Sequence, residues 1–173
     1  MDVARGAAEN AEVIRSLDDV TGLIVDASYR LHARLGPGLL ESVYEVVLAR
    51  DLARRGLLVE RQHAVSFEYD GLQFDDAYRV DILVNRCVVV EIKSVERALP
   101  VHAKQLLTYL RLLNLSVGLL VNFGAPTFKE GVQRIVNRLP SSASPRLRVN
   151  QTPAWVSITR PGNATPPSIR RWR

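Results

Sequence analysis

The chain has 173 residues, 47% of them hydrophobic, and a formal charge of +5. That length suits one ordinary domain able to bury roughly 70% of its unfolded surface, so a core can form without covalent staples. A single cysteine, Cys87, excludes an intramolecular disulfide framework, no Cys/His cluster has zinc-ligand spacing, and no run of about 18 uncharged apolar residues offers a membrane span.

Residues 1–15 carry Asp2, Glu9 and Glu12 among alanines, which suits neither a signal peptide nor an anchor; they read as a flexible N-terminal segment of a cytoplasmic protein. Ser16-Leu-Asp-Asp19 resembles a capping box, and Leu17, Val20, Ile24, Leu31 and Leu35 recur at helical spacing, predicting a first helix that ends at Gly36-Pro37-Gly38. A second helix is predicted from about 39 to 55, stopping at Gly56, with Leu40, Val43, Tyr44, Val47, Leu48 and Leu52 inward. The period then changes to two over 58–61 and 65–69, Asp70-Gly71 signals a hairpin turn, and further strands are predicted near 78–84 and 87–93. Pro100 precedes an amphipathic helix over 101–113, 116–122 reads as one more buried strand, and a last helix is predicted from Pro126 to about Arg138.

Beyond Pro140 the composition shifts to Ser, Pro, Asn, Thr and Arg, with a short strand possible only near 147–149 or 154–158. From Arg138 onward there are seven arginines and no acid, so residues 1–137 hold 16 basic and 18 acidic side chains. The positive charge therefore belongs to the tail, 139–173, where an arm making salt-dependent, sequence-blind phosphate contacts is the sharper reading and a solvated extension the plainer one. The predicted domain, 16–138, is α+β or mixed α/β: a sheet of antiparallel hairpins plus one further strand, flanked by helices.

The chemistry concentrates in Tyr78-Arg-Val-Asp81-Ile-Leu-Val-Asn-Arg-Cys-Val-Val-Val-Glu91-Ile-Lys93, where three charged side chains interrupt two apolar runs. Strands this apolar are mostly buried, and a buried carboxylate needs a partner, a proton or a cation. Side-chain period two puts Glu91 and Lys93 on one face of their strand. Asp81 joins them only if the connection is a three-residue loop, Asn85-Arg86-Cys87, or an equivalent bulge; a clean two-residue hairpin would turn Glu91 to the other side.

Two carboxylates about 4 Å apart repel by roughly 4 kcal/mol at an effective dielectric near 20, which a divalent ion would offset. A plain cross-strand ion pair on an exposed face is the competing reading. A third acid is best sought on the second helix, where Glu41 and Tyr44 share a face at i, i+3 and Glu41 is expected to point inward. On the third helix Gln105 and Tyr109 lie at i, i+4, with His102 a turn earlier, a polar stripe suited to water or phosphate.

Gly38-x-x-Glu41-x-x-Tyr44, Asp81, Glu91-x-Lys93 and Gln105-x-x-x-Tyr109, in this order, resemble the bacterial GxxExxY proteins, a branch of the PD-(D/E)XK nuclease superfamily. His32-Ala-Arg-Leu-Gly-Pro-Gly, Pro100-Val-His102 and Gly118-Leu-Leu-Val-Asn122-Phe agree, and the likeness covers about 17–138. It implies a restriction-endonuclease-like core, with Asp81 and Glu91 as metal-binding acids, Glu41 as the helix-borne acid, Lys93 positioning water and stabilising charge, and Gln105 and Tyr109 matching the Q-x-x-x-Y element of RecB-like members. Val80 stands where the superfamily's name has proline.

The expected activity is Mg²⁺- or Mn²⁺-dependent cleavage of nucleic acid, DNA ahead of RNA, with a homodimer left open and no membrane partner. The alternative is a non-catalytic nucleic-acid-binding or assembly module on the same fold.

Overall fold

The computed structural model describes residues 16–138. The N-terminal segment, the Pro/Ser/Arg-rich tail and the short strand expected within it lie outside the described residues.

Helix α1 spans Leu17–Leu35 and begins in a full capping box: Ser16 Oγ accepts from the Asp19 amide at 3.1 Å while the Asp19 carboxylate accepts from the Ser16 amide at 3.1 Å. Val20, Ile24, Ala27 and Leu31 form its buried stripe, whereas Leu35, in the last turn before the chain reverses, is exposed rather than inward.

Helix α2, Glu41–Arg54, starts two residues later than predicted and is rotated relative to the expected stripe. Tyr44, Leu48, Ala49 and Leu52 are buried, but Leu40, at the N-cap, is 73% exposed, and Val43 and Val47 are also on the outside. Glu45 takes the inward place instead, because strand β1 brings it donors.

Strands β1 (Val59–Tyr69) and β2 (Leu72–Val84) form one long antiparallel hairpin closed by Asp70-Gly71, both at positive φ, as a type I′ turn requires. The break expected between two short strands is only an irregularity: Gln62 has φ +49°, and the register shifts between Val65 and Phe67. Strand β3 (Val88–Lys93) pairs antiparallel with β2, helix α3 (Pro100–Leu112) crosses over, and β4 (Val117–Asn122) pairs with β3 in parallel. The sheet is thus mixed, in the order β1-β2-β3-β4-β5.

The predicted last helix is a correction. Only a single turn, α4 (Phe128–Gly131), capped by the Thr127 side chain, is helical; Val132–Val136 forms β5, antiparallel to β4. The β-branched Val132, Ile135 and Val136 suit a pleated edge, and β4 offers them an unpaired ladder of backbone groups.

One face of the sheet packs Ile82, Val84, Val88, Val90, Ile92, Leu119 and Val121 against α1 and α2; the other packs Val89 and Leu120 against Leu106 and Leu110 of α3. None of the described helices is long and apolar enough to cross a membrane.

The turn between α1 and α2 is held from inside the core. The Tyr44 hydroxyl donates to the Gly36 carbonyl at 2.6 Å and accepts from the Leu39 amide at 3.3 Å, while its ring stacks on Phe123 with centroids 4.3 Å apart. His32 Nε2 donates to the Ala125 carbonyl at 3.1 Å. Both residues are therefore structural, and Tyr44 fixes where α2, and with it Glu41, begins. Tyr44→Phe should lower unfolding free energy by about 1 kcal/mol, the net worth of a hydrogen bond, as read by chemical denaturation.

Candidate functional site

The connection between β2 and β3 decides the site. Cys87 donates its amide to the Val84 carbonyl at 3.0 Å around Asn85 and Arg86, both at positive φ, but the register pairs Val84 with Val88. Cys87 is therefore an extra residue, a bulge that follows a tight turn. It carries the pairing through Leu83 with Val89 and Ile82 with Val90 toward Asp81 and Glu91.

The ladder stops at that point. Beyond Ile82 the Asp81 side chain takes over, its Oδ2 accepting from the Ile92 amide at 2.7 Å. The carboxylate thus satisfies a donor that a regular strand would have paired with backbone.

Glu91 is 3% exposed; its Oε1 accepts from Lys93 Nζ at 2.7 Å, and its Oε2 is buried with no hydrogen-bond partner. Two residues apart on one strand, Glu91 and Lys93 share a face, as their spacing requires. Asp81, Glu91 and Lys93 are thereby brought together.

The loop after Lys93 is clamped by β4. Asn122, buried at the end of that strand, accepts from the amides of Val95 (3.0 Å) and Gly124 (3.1 Å) and donates to the Val95 carbonyl (2.8 Å). Gly124 has to be glycine, because a Cβ there would lie 2.5 Å from the Val95 carbonyl oxygen.

Glu41, the first residue of α2, corrects the expectation of an inward glutamate: it is exposed. Its carboxylate nevertheless reaches this loop, Oε1 accepting from the Ser94 amide at 3.0 Å, and Ser94 Oγ donates to the Leu39 carbonyl at 2.6 Å. Glu41 therefore joins the site from its edge. From α3, Gln105 Nε2 donates to the Tyr109 hydroxyl, and Tyr109, almost fully buried, packs its ring 5.4 Å from that of Tyr78. His102 stands apart: its Nδ1 accepts from the Leu99 amide at 3.3 Å and so caps α3.

Two side chains that the sequence did not single out belong to this cluster. Glu45 is 5% exposed; Arg61 Nε donates to its Oε1 at 2.8 Å and Gln62 Nε2 to its Oε2 at 2.7 Å. The same Gln62 amide lies 3.5 Å from Asp81 Oδ1. Glu45 is four residues after Glu41 on α2, a spacing that places both on one side of the helix and was the available signal. Gln62 carried none, since it sits in a polar stretch without period.

Burial dominates the electrostatics. Desolvation, then the charge of Asp81, pushes the Glu91 carboxyl up to about 7 despite the Lys93 hydrogen bond. Asp81 is likewise raised, by desolvation first, with the Ile92 amide pulling the other way. Desolvation alone would lower Lys93, but its bond to Glu91 and the charges of Glu91, Glu41 and Asp81 outweigh it and hold the ammonium above its ordinary range. Burial raises the Tyr109 phenol, which also feels Glu91 and Asp81.

A raised carboxyl favours the fold while protonated: the contribution of Glu91 is complete below its ordinary value of 4.5 and is lost as pH climbs through about 7. In EDTA-treated protein this loss should be on the order of 3 kcal/mol. Thermal unfolding followed from pH 4.5 to 8 should show it, and Glu91→Gln should flatten that part of the profile. Asp26 and Glu60, held low by Arg55 and Arg86, slope the other way and are common to both proteins.

The family model of the PD-(D/E)XK nuclease superfamily matches residues 18–135, which takes in every element from α1 to β5 but the first residue of α1 and the last of β5. No protein of curated function and no solved structure matches the chain. With a mixed sheet flanked by helices and an acid, an acid and a lysine gathered where two of its strands part, the chain belongs to the PD-(D/E)XK nuclease superfamily.

Proposed function

We propose that this chain hydrolyses phosphodiester bonds in nucleic acid, DNA ahead of RNA, using Mg²⁺ or Mn²⁺ held by Asp81 and Glu91 with Glu41 as a third acid at the edge. The observation that carries the reading is Glu91: a carboxylate sunk in the sheet, one oxygen on Lys93 and the other without any partner. A buried orphan oxygen is costly unless something outside the protein completes it.

A hard divalent cation fits that donor set. Magnesium is commonly held by one or two carboxylates together with substrate phosphate and water. Among the described residues no three His, Cys, Asp or Glu side chains already converge as a ligand group, so Asp81 and Glu91 would be the principal protein ligands. When bound, the ion would polarise the scissile phosphate and lower the pKa of water.

The protein's own groups then have separable tasks. Ile92 N–H holds the Asp81 carboxylate in the gap between β2 and β3. Lys93, kept cationic by three carboxylates, can donate to a phosphate oxygen or to the attacking water as negative charge builds on phosphorus. Hydrolysis forms a bond from water oxygen to phosphorus and breaks a bridging P–O bond, the water proton leaving to solvent or to an adjacent carboxylate. Gln105 satisfies the Tyr109 oxygen, which leaves the phenol hydrogen available to a phosphate oxygen. Gly38-x-x-Glu41-x-x-Tyr44, the signature of GxxExxY proteins, acts here as one unit, since Tyr44 anchors the turn from which Glu41 reaches Ser94.

The test is a cleavage assay on single- and double-stranded DNA and RNA, with Mg²⁺, Mn²⁺ or EDTA. Asp81→Asn and Lys93→Ala should each lower kcat by at least about 100-fold, on the order of 3 kcal/mol of transition-state stabilisation, and EDTA should abolish turnover. Full activity in either variant overturns the assignment. Nucleic-acid binding with neither cleavage nor Mn²⁺ uptake would identify the non-catalytic module instead.

A further inference from the structure

We propose that Gln62 is a positioning residue for Asp81, itself held by Glu45, and that the catalytic site depends on its side-chain amide. This inference rests on the nuclease reading above.

Gln62 stands directly across the sheet from Asp81, between the pairs Arg61 with Ile82 and His63 with Val80. Its φ of +49° lies in the left-handed region, which strains any residue with a Cβ and which sets it off from the regular ladder. Irregularities of this kind re-aim a side chain, and here the amide is aimed at two carboxylates. It donates to Glu45 Oε2 at 2.7 Å and comes within 3.5 Å of Asp81 Oδ1.

Glu45 is a firm anchor because it is buried and its other oxygen takes Arg61 Nε at 2.8 Å. Asp81 is anchored on its far side by the Ile92 amide. Gln62 thus closes a chain from α2 through β1 to β2, and as a neutral double donor it bridges Glu45 and Asp81 without adding charge. The long contact to Asp81 is of the kind that tightens once a site is loaded.

Gln62→Gly separates this role from a purely structural one. Glycine relaxes at this φ, which offsets the cost of leaving Glu45 Oε2 without its donor, so the melting temperature should change little while the amide is lost. Mn²⁺ binding by isothermal titration should weaken, or kcat should fall, by about 10- to 100-fold, with KM for a DNA oligonucleotide little changed. Gln62→Asn, which tolerates the backbone but is one methylene shorter, should recover only part of the loss. Wild-type uptake and turnover that Gln62→Gly leaves unchanged overturn this inference alone. A wild-type protein that takes up no Mn²⁺ and cleaves nothing sinks the nuclease reading and this inference with it.

Discussion

The amide of Ile92, donated at 2.7 Å to the Asp81 carboxylate, is the contact on which the rest of the site depends. Strands β2 and β3 pair regularly up to Ile82 and Val90 and then part, which would leave a buried donor unsatisfied. A carboxylate side chain fills the gap. That substitution lets the strands diverge without an orphaned amide and brings Asp81 beside Glu91.

Everything else at the site follows from making such a cluster tolerable. Four carboxylates gather near one ammonium and repel one another, and the molecule spreads the load: Lys93 on Glu91, Ser94 N–H on Glu41, Ile92 N–H on Asp81, and Arg61 with Gln62 on Glu45. One buried acceptor of this cluster is left over, Glu91 Oε2. A protein built for stability alone would have given that oxygen a donor or replaced the acid, since removing a buried ion pair in favour of apolar packing is often stabilising.

The supporting shell shows how far a local motif can reach. Tyr44 neither touches Asp81 nor Glu91, yet its hydroxyl bonds to the Gly36–Leu39 turn and its ring stacks on Phe123, next in chain to Asn122. Asn122 in turn clamps the loop that follows Lys93. The turn before α2 and the loop after Lys93 are therefore referenced to one packed core.

Period and turn chemistry alone revealed the helices near 17–35 and 101–113, the apolar strands around Asp81 and Glu91, and the shared face of Glu91 and Lys93, because those depend on neighbours close in sequence. They could not reveal that Val132–Val136 is a strand, since that requires the free edge of β4, nor that Glu45 turns inward in place of Val43 and Val47, since its donors Arg61 and Gln62 come from β1. The register at Cys87 was narrowed to a condition, a bulge or an odd loop, and only the pairing of Val84 with Val88 met it. Residue type and spacing determined which groups were available for chemistry. Tertiary structure decided which of them meet, because burial, register and hydrogen-bond donors from distant segments set where a charged side chain can afford to lie.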